Sequence, residues 1–206
     1  SGQRPIEWLS NHVNLDENYH LVHATHLIDK EIEQISRAGS NVVLCPSTEG
    51  NLGDGIFPLS KFLNKNGKWS IGTDSHIGIN PLEEIRILDY GQRLITHGRN
   101  TFGNARSGDN GQIAIERSLV NGRKAMGINQ KEFFEIGAPL DALVTTDKSP
   151  LIHSCSNKNR VNTIVYAGDS SMFYGTIVNG KWVIKEGLHL NENIDLNFIK
   201  TMNNLK

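Results

Sequence analysis

Short apolar runs alternate with stretches of helical period along the first two-thirds of this chain, and a different rhythm follows. The runs near residues 20–24, 41–45 and 69–73 have the length and the Val, Leu, Ile and Trp content of strands. Between the first two, Asp29 to Ala38 sets Ile32, Ile35 and Ala38 on one helical face, and Gly39 can end that helix in a left-handed cap. Phe57 to Leu63 reads as a short helix closed by Asn66-Gly67. Asn80-Pro-Leu-Glu83 opens a longer one, with Asn80 as N-cap, Pro81 at the first position and Glu83 three residues on. Leu82, Ile85, Leu88 and Leu94 continue it, with a stop predicted at Gly98. Strand and helix thus alternate as βα units.

Asn100 to Gly111 is polar and Gly-rich, as a surface loop is, and Gln112 to Met126 predicts a second long helix ending at Gly127. Ala142-Leu-Val-Thr-Thr146, Thr163-Ile-Val-Tyr166, Gly175-Thr-Ile-Val178 and Lys181-Trp-Val-Ile184 then read as β runs. Asn179-Gly180 joins the last two as a hairpin turn, since both residues accept positive φ. Ile194 to Leu205 predicts a closing helix with Phe198, Ile199, Met202 and Leu205 on one side. Two regions are expected: 1–137, built of βα units, and 138–206, β-rich with a final helix.

Composition removes several functions. The 206 residues carry a formal net charge of −1 with no basic stripe, so nucleic acid is not an expected partner. No apolar run approaches the ~20 residues that span a bilayer, and no membrane association is expected. Two cysteines far apart, Cys45 and Cys155, make no disulfide framework; a reduced, cytoplasmic setting is expected. Gly53-Asp-Gly55 lacks the Lys-Ser or Lys-Thr that a phosphate loop needs. The opening Ser1-Gly-Gln-Arg-Pro5 runs directly into the helix-like Pro5-Ile-Glu-Trp-Leu-Ser10, so the chain is expected to begin inside a longer protein.

The chemistry-bearing residues gather where the three strand-type runs end: Leu21-Val-His-Ala-Thr-His26, Val43-Leu-Cys-Pro-Ser-Thr-Glu-Gly-Asn-Leu-Gly-Asp-Gly55 and Ser70-Ile-Gly-Thr-Asp-Ser-His76. In parallel α/β barrels catalytic groups come from the C-terminal ends of several strands. A carboxylate such as Asp74, backed by Gly72 and Thr73, can hold a divalent metal and take a proton from water, and an imidazole such as His23 can polarise the group under attack. One His and one Asp do not make a metal site, and neither His-x-His nor His-Glu-x-x-His occurs. Taken alone, Asp74 also suits a turn or a helix cap, and His23 suits a buried ring bonded to a carbonyl. His26 and His76 suit either ligand-orienting partners or solvated loop residues, and Glu49 suits a substrate contact or a pair with a nearby cation. Cys45 is expected to be a buried small hydrophobe, and His12, His97, His153 and His189 to lie on the surface.

The three motifs, with Pro81-Leu-Glu-Glu-Ile-Arg86 and Tyr90-Gly-Gln-Arg93, resemble the later strands of the amidohydrolase superfamily. Thr48-Glu-Gly-Asn-Leu-Gly-Asp-Gly55 stands where guanine and chlorohydrolase-type deaminases tend to carry Ser-Asn, and is closer to the members that act on N-formimino-L-glutamate. The resemblance implies a metal-dependent (β/α)8 barrel of which this chain is the C-terminal part, followed by strands of a small β-sandwich domain. It implies one divalent metal, zinc in most members, and hydrolysis of the formimino group to N-formyl-L-glutamate and ammonia in histidine degradation. Asp74 would then be the last-strand metal ligand and proton shuttle, and His23 the sixth-strand histidine that stabilises developing charge. The loop Ser47 to Asp54 would line the pocket, with Ser47, Glu49, Asn51 and Asp54 toward the substrate, while His26, Ser75 and His76 would orient the ligands. The remaining ligands and the cations for the substrate carboxylates would precede Ser1, which makes the N-terminal half of the same enzyme the principal partner besides a small-molecule substrate; a homodimer is a further expected assembly. The isolated chain is expected to be inactive. Two other readings stand beside this one: a deaminase of guanine or a related purine, and a non-catalytic module retaining the motifs as inherited architecture.

Overall fold

Three short runs, too short for stable helices and holding the buried Val42, Leu44 and Trp69, form the parallel sheet from which the first half of the chain is built. The computed structural model describes residues 2–103, 109–128, 133–191 and 193–205. It divides into two compact units, residues 1–130 and 131–206.

In the first unit, α1 (Pro5–His12) precedes β1 (His20–Val22), α2 (Asp29–Ala38) and β2 (Asn41–Leu44). Then come α3 (Pro46–Leu52), α4 (Leu59–Leu63), β3 (Lys68–Ile71), α5 (Pro81–Thr96) and α6 (Asn110–Ala125). The strands lie in the order β1-β2-β3, all parallel, with Leu21 opposite Val42 and Val42 opposite Trp69. Helical connections between successive strands make this arrangement the expected one.

Val42, Leu44 and Trp69 are buried in the sheet, and Ile32 and Ile35 are buried on the predicted face of α2. Gly39 ends α2 at φ 71°, the left-handed cap anticipated. Glu31 returns from the first turn of the same helix to accept from the Ile28 N–H at 3.1 Å. Asn80 Oδ1 accepts from the N–H groups of Leu82 and Glu83 and starts α5 as predicted. That helix ends on His97, at φ 54°, one residue before the predicted Gly98. Trp69 stacks on Phe102 with ring centroids 5.2 Å apart, and Asn121 Nδ2 donates to the Trp69 carbonyl at 2.8 Å, joining α6 to β3. At Gly67 a Cβ would collide with the Phe62 ring, so only glycine closes this turn. Part of the predicted loop 100–111, residues 104–108, lies outside the described residues.

Charged groups are also buried here, each with a partner. Asp89, fully buried, accepts from Arg93 at 2.6 Å and from Asn110 Nδ2 at 3.2 Å. Gln92 donates to the Phe57 carbonyl at 2.7 Å and so fastens α5 to the segment before α4.

The second unit comprises β4 (Ala142–Thr145), α7 (Pro150–Ser154), α8 (Arg160–Ala167), β5 (Phe173–Val178), β6 (Lys181–Lys185), β7 (Leu188–His189) and α9 (Ile194–Asn204). Its four strands form an antiparallel sheet in chain order. Asn179 and Gly180, at φ 49° and 73°, turn the β5–β6 hairpin as expected. Thr163-Ile-Val-Tyr166 corrects the β reading: these residues lie in α8, where Val165 is fully buried and Gly168 ends the helix. The strand preference of a short β-branched run is weak and context readily overrides it. The predicted closing helix forms as α9, and Phe198, Ile199, Met202 and Leu205 are all exposed on it. Among the described residues no helix is long and apolar enough to cross a membrane.

Candidate active site

The sheet brings together the C-terminal ends of β1, β2 and β3, and the backbone changes character there. His23 continues the ladder by one bond, its N–H donating to the Val43 carbonyl at 2.9 Å, yet its φ is 66°, and Ala24 follows at 55°. On the other side of β2, the Gly72 N–H donates to the Leu44 carbonyl at 2.9 Å, and two residues later Asp74 takes φ 48°. Left-handed backbone at non-glycine residues is uncommon and costs on the order of 1 kcal/mol or more each. Its occurrence at two strand ends swings the His23 and Asp74 side chains toward each other across β2, with His23 Nε2 3.7 Å from Asp74 Oδ2. Both side chains remain partly accessible, 36% and 42% exposed.

The end of β2 is built differently. Pro46–Leu52 forms α3, where a loop from Ser47 to Asp54 was expected. Pro46 sits in the first turn, where its missing N–H is not needed. The first-turn donors are then met by carboxylates: Glu49 Oε1 accepts from the Cys45 N–H at 2.9 Å, and Glu84 Oε2 accepts from the Ser47 N–H at 2.9 Å. Ser47 Oγ donates to Glu84 Oε1 as well. Ser47, predicted to face substrate, is therefore buried with its hydroxyl and its N–H both given to Glu84. Helix formation also separates the four proposed pocket residues: Glu49 is buried, Asn51 is exposed on α3, and Asp54 is half-buried just beyond it.

Side-chain bonds hold the three loops in one arrangement. Thr48 Oγ1 donates to the Thr73 carbonyl at 2.9 Å and accepts from the His76 N–H at 3.1 Å, fixing the segment that carries Asp74. Thr25 Oγ1 donates to the Asp54 carbonyl at 2.7 Å, fixing the segment after His23. His23 Nδ1 lies 3.3 Å from Glu49 Oε1, so the imidazole stands between two carboxylates. Ser75 and His26 are exposed, while His76 is half-buried and accepts at Nδ1 from the Gly78 N–H at 3.0 Å. His12, His97, His153 and His189 are exposed.

Burial pushes the Glu49 carboxyl above the usual carboxylate range, against the opposing pull of the Cys45 N–H and His23. Burial, reinforced by the charges of Glu49, Asp74 and Glu84, drives the Cys45 thiol up to about 12. Cys45 is thus a packed, inert side chain at the start of α3. Glu84 is the residue that sequence reasoning missed. Its signal was a carboxylate on the same face of α5 as the apolar Ile85 and Leu88; a charge there needs a buried donor.

The donor set bears on metal binding. Asp74 can offer a carboxylate oxygen and His23 a ring nitrogen, but among the described residues no group of three or more His, Cys, Asp or Glu side chains is arranged to hold a metal ion. Catalytic zinc takes three protein ligands, so these residues can furnish only part of such a site.

Several known proteins are similar to this chain in sequence and in shape. The chain is 36% identical over 192 residues to formimidoylglutamate deiminase of Pseudomonas aeruginosa, which covers 93% of this chain and 42% of that enzyme. It is 26% identical to 5-methylthioadenosine/S-adenosylhomocysteine deaminase of Haloarcula marismortui, over 90% of this chain and 41% of that one. The chain thus spans less than half the length of these relatives. An amidohydrolase from Brucella melitensis superposes with a TM-score of 0.87 at 30% identity, over all of this chain and 45% of its own. An adenosine deaminase from Xanthomonas campestris with bound zinc shares the fold at a TM-score of 0.83 and 17% identity, over 98% of this chain and 45% of its own. The amidohydrolase family model matches from residue 4 to residue 183, through the three strand ends and on into the antiparallel sheet, and by that match this chain belongs to the amidohydrolase family.

Proposed function

We propose that this chain is the C-terminal part of a hydrolytic deiminase that converts N-formimino-L-glutamate and water to N-formyl-L-glutamate and ammonia. The observation that carries the proposal is the approach of His23 Nε2 to Asp74 Oδ2 at 3.7 Å, at the ends of strands flanking β2. A base and a polarising imidazole side by side are what addition of water to a C=N bond requires. The 36% identity to formimidoylglutamate deiminase supports the substrate class. In this reading β1, β2 and β3 are the last three strands of a (β/α)8 barrel, and the antiparallel sheet is part of a small β-sandwich domain.

The N-terminal half of the same protein would complete the site. It would supply the other metal ligands and the cations for the two substrate carboxylates, and Asp74 would add its carboxylate to the metal. A divalent metal, zinc by analogy with the Xanthomonas enzyme, would lower the pKa of the attacking water. Asp74 accepts the water proton as the oxygen adds to the formimino carbon and the C=N π pair moves onto nitrogen. It returns that proton to the nitrogen, then takes the remaining proton from the adduct's hydroxyl and passes it to the same nitrogen as the C–N bond breaks, so that ammonia leaves and the formyl carbonyl forms. His23 stabilises the charge that develops during addition. In this reading Asn51 and Asp54 would contact the substrate, and His26, Ser75 and His76 would orient the two reacting side chains.

A purine deaminase is the second reading, supported by the match to the methylthioadenosine/S-adenosylhomocysteine deaminases. Ammonia release by the complete enzyme from N-formimino-L-glutamate, guanine, adenosine and 5′-methylthioadenosine separates the two. Turnover of the formimino compound at least about a hundredfold above any purine supports the deiminase. The opposite ranking replaces it with a purine deaminase, and release from none of them leaves the non-catalytic reading.

A further inference from the structure

Glu49 occupies the centre of the candidate site, yet it is placed to hold a side chain and poorly placed to meet a substrate. It is 3% exposed. Its backbone is fixed in the short helix α3, and its carbonyl accepts from the Asp54 N–H at 2.9 Å. Its side chain is fixed as well, because Oε1 accepts the Cys45 N–H at 2.9 Å. The same oxygen lies 3.3 Å from His23 Nδ1. Glu49 is therefore anchored independently of the histidine it meets.

His23 needs such an anchor. Its left-handed backbone, φ 66°, removes it from the regular alternation of a strand, and its ring is over a third exposed. The bond made by one imidazole nitrogen decides which nitrogen carries the proton of the neutral ring. An oxygen already accepting one N–H and ending a carboxylate acts as an acceptor, so the bond to His23 is Nδ1–H donating to Glu49. Nε2 is then the nitrogen presented beside Asp74, 3.7 Å away.

We infer that Glu49 is the positioning residue of this site: it keeps the proton on His23 Nδ1 and turns Nε2 toward the reacting centre. The neighbouring carboxylate Glu84 cannot take over, since its two oxygens are engaged with Ser47. The assignment of what His23 acts upon rests on the deiminase reading; the orientation of the ring does not.

The test uses the complete enzyme with 15N-labelled histidine, and His23→Gln identifies the His23 signals among the others. In the wild type, Nδ1 should show the shift of a protonated ring nitrogen. In Glu49→Ala that signal should be lost, kcat should fall about 10- to 100-fold, as for other partners that orient an active-site histidine, and KM should stay within about twofold. Glu49→Gln keeps an oxygen for the same two donors and should recover a large part of both. If the alanine variant does not fold, the wild-type and glutamine spectra decide alone. An unprotonated Nδ1 in the wild type, or an unchanged kcat in Glu49→Ala, overturns the inference. A change confined to KM also overturns it and makes Glu49 a substrate contact. A protonated Nδ1 in an enzyme that turns over no formimino substrate would leave this inference standing and remove the proposed reaction.

Discussion

The two units bury different things. In residues 1–130 the interior holds Glu31, Glu49, Glu84, Asp89 and Gln92 alongside its apolar core, and the bonds made by these groups fix helix starts and loop ends. In residues 131–206 the buried hydrophobic side chains are Ile152, Val165 and Met172, while Leu143, Leu188, Phe198 and Leu205 are exposed among the described residues. Burying a carboxylate is costly unless donors surround it. At Glu49 and Glu84 the first unit accepts that cost at the end of β2, beside the strand ends where His23 and Asp74 adopt left-handed backbone. Backbone strain at His23 and Asp74, with buried Glu49 beside them, marks this end of the sheet as the candidate site.

The contrast should appear in measurements of very different size. The largest effect is expected from Asp74→Asn in the complete enzyme, a loss of about 10²- to 10⁴-fold in kcat, the usual worth of a general base. Its side chain is 42% exposed, so the melting temperature should hardly move; near wild-type turnover would remove Asp74 from the chemistry. Next comes the pair of cysteines, one in each unit. With its thiol pushed up to about 12, Cys45 should be alkylated at pH 8 at least about a hundredfold more slowly than half-buried Cys155 in the native protein. Equal rates, read by mass spectrometry, would mean that the start of α3 opens readily.

Glu84→Ala leaves two buried donors of Ser47 without their acceptor and should cost about 2–3 kcal/mol in urea unfolding. A cost under about 0.5 kcal/mol would show that the clamp contributes little. The smallest effect belongs to the second unit: Phe198→Ser on α9, at 66% exposure, should stay within about 0.5 kcal/mol of the wild type. A larger loss would reveal a partner for that helix face.

Where signals are local, the sequence carries them. Gly39, Asn80 and the Asn179-Gly180 turn act through their own backbone or their own side chain, and each lies where its residue type predicts. The three strand runs are legible for a similar reason, since each is a short apolar segment between turn residues. What escapes is decided by contacts distant in the chain. Ser47 to Asp54 reads as a loop, and only Glu84, 37 positions on from Ser47, shows what receives the first-turn donors when it forms a helix. Thr163 to Tyr166 has the composition of a strand and lies in a helix with Val165 buried; a four-residue apolar run does not by itself tell a strand from a buried helix segment. Asp and His take positive φ more readily than most residues, but residue type does not say where that happens, so the sequence could nominate His23 and Asp74 but could not bring their side chains together.

The central claim is that His23 and Asp74 act on one reacting centre, and a kinetic double-mutant cycle tests it most directly. Turnover of N-formimino-L-glutamate would be measured for the complete enzyme and for His23→Gln, Asp74→Asn and the double variant. Residues acting as a unit are strongly non-additive, so the double variant should be no more than about tenfold slower than Asp74→Asn alone. Losses that simply multiply would show two independent residues that happen to lie 3.7 Å apart, and would contradict the account.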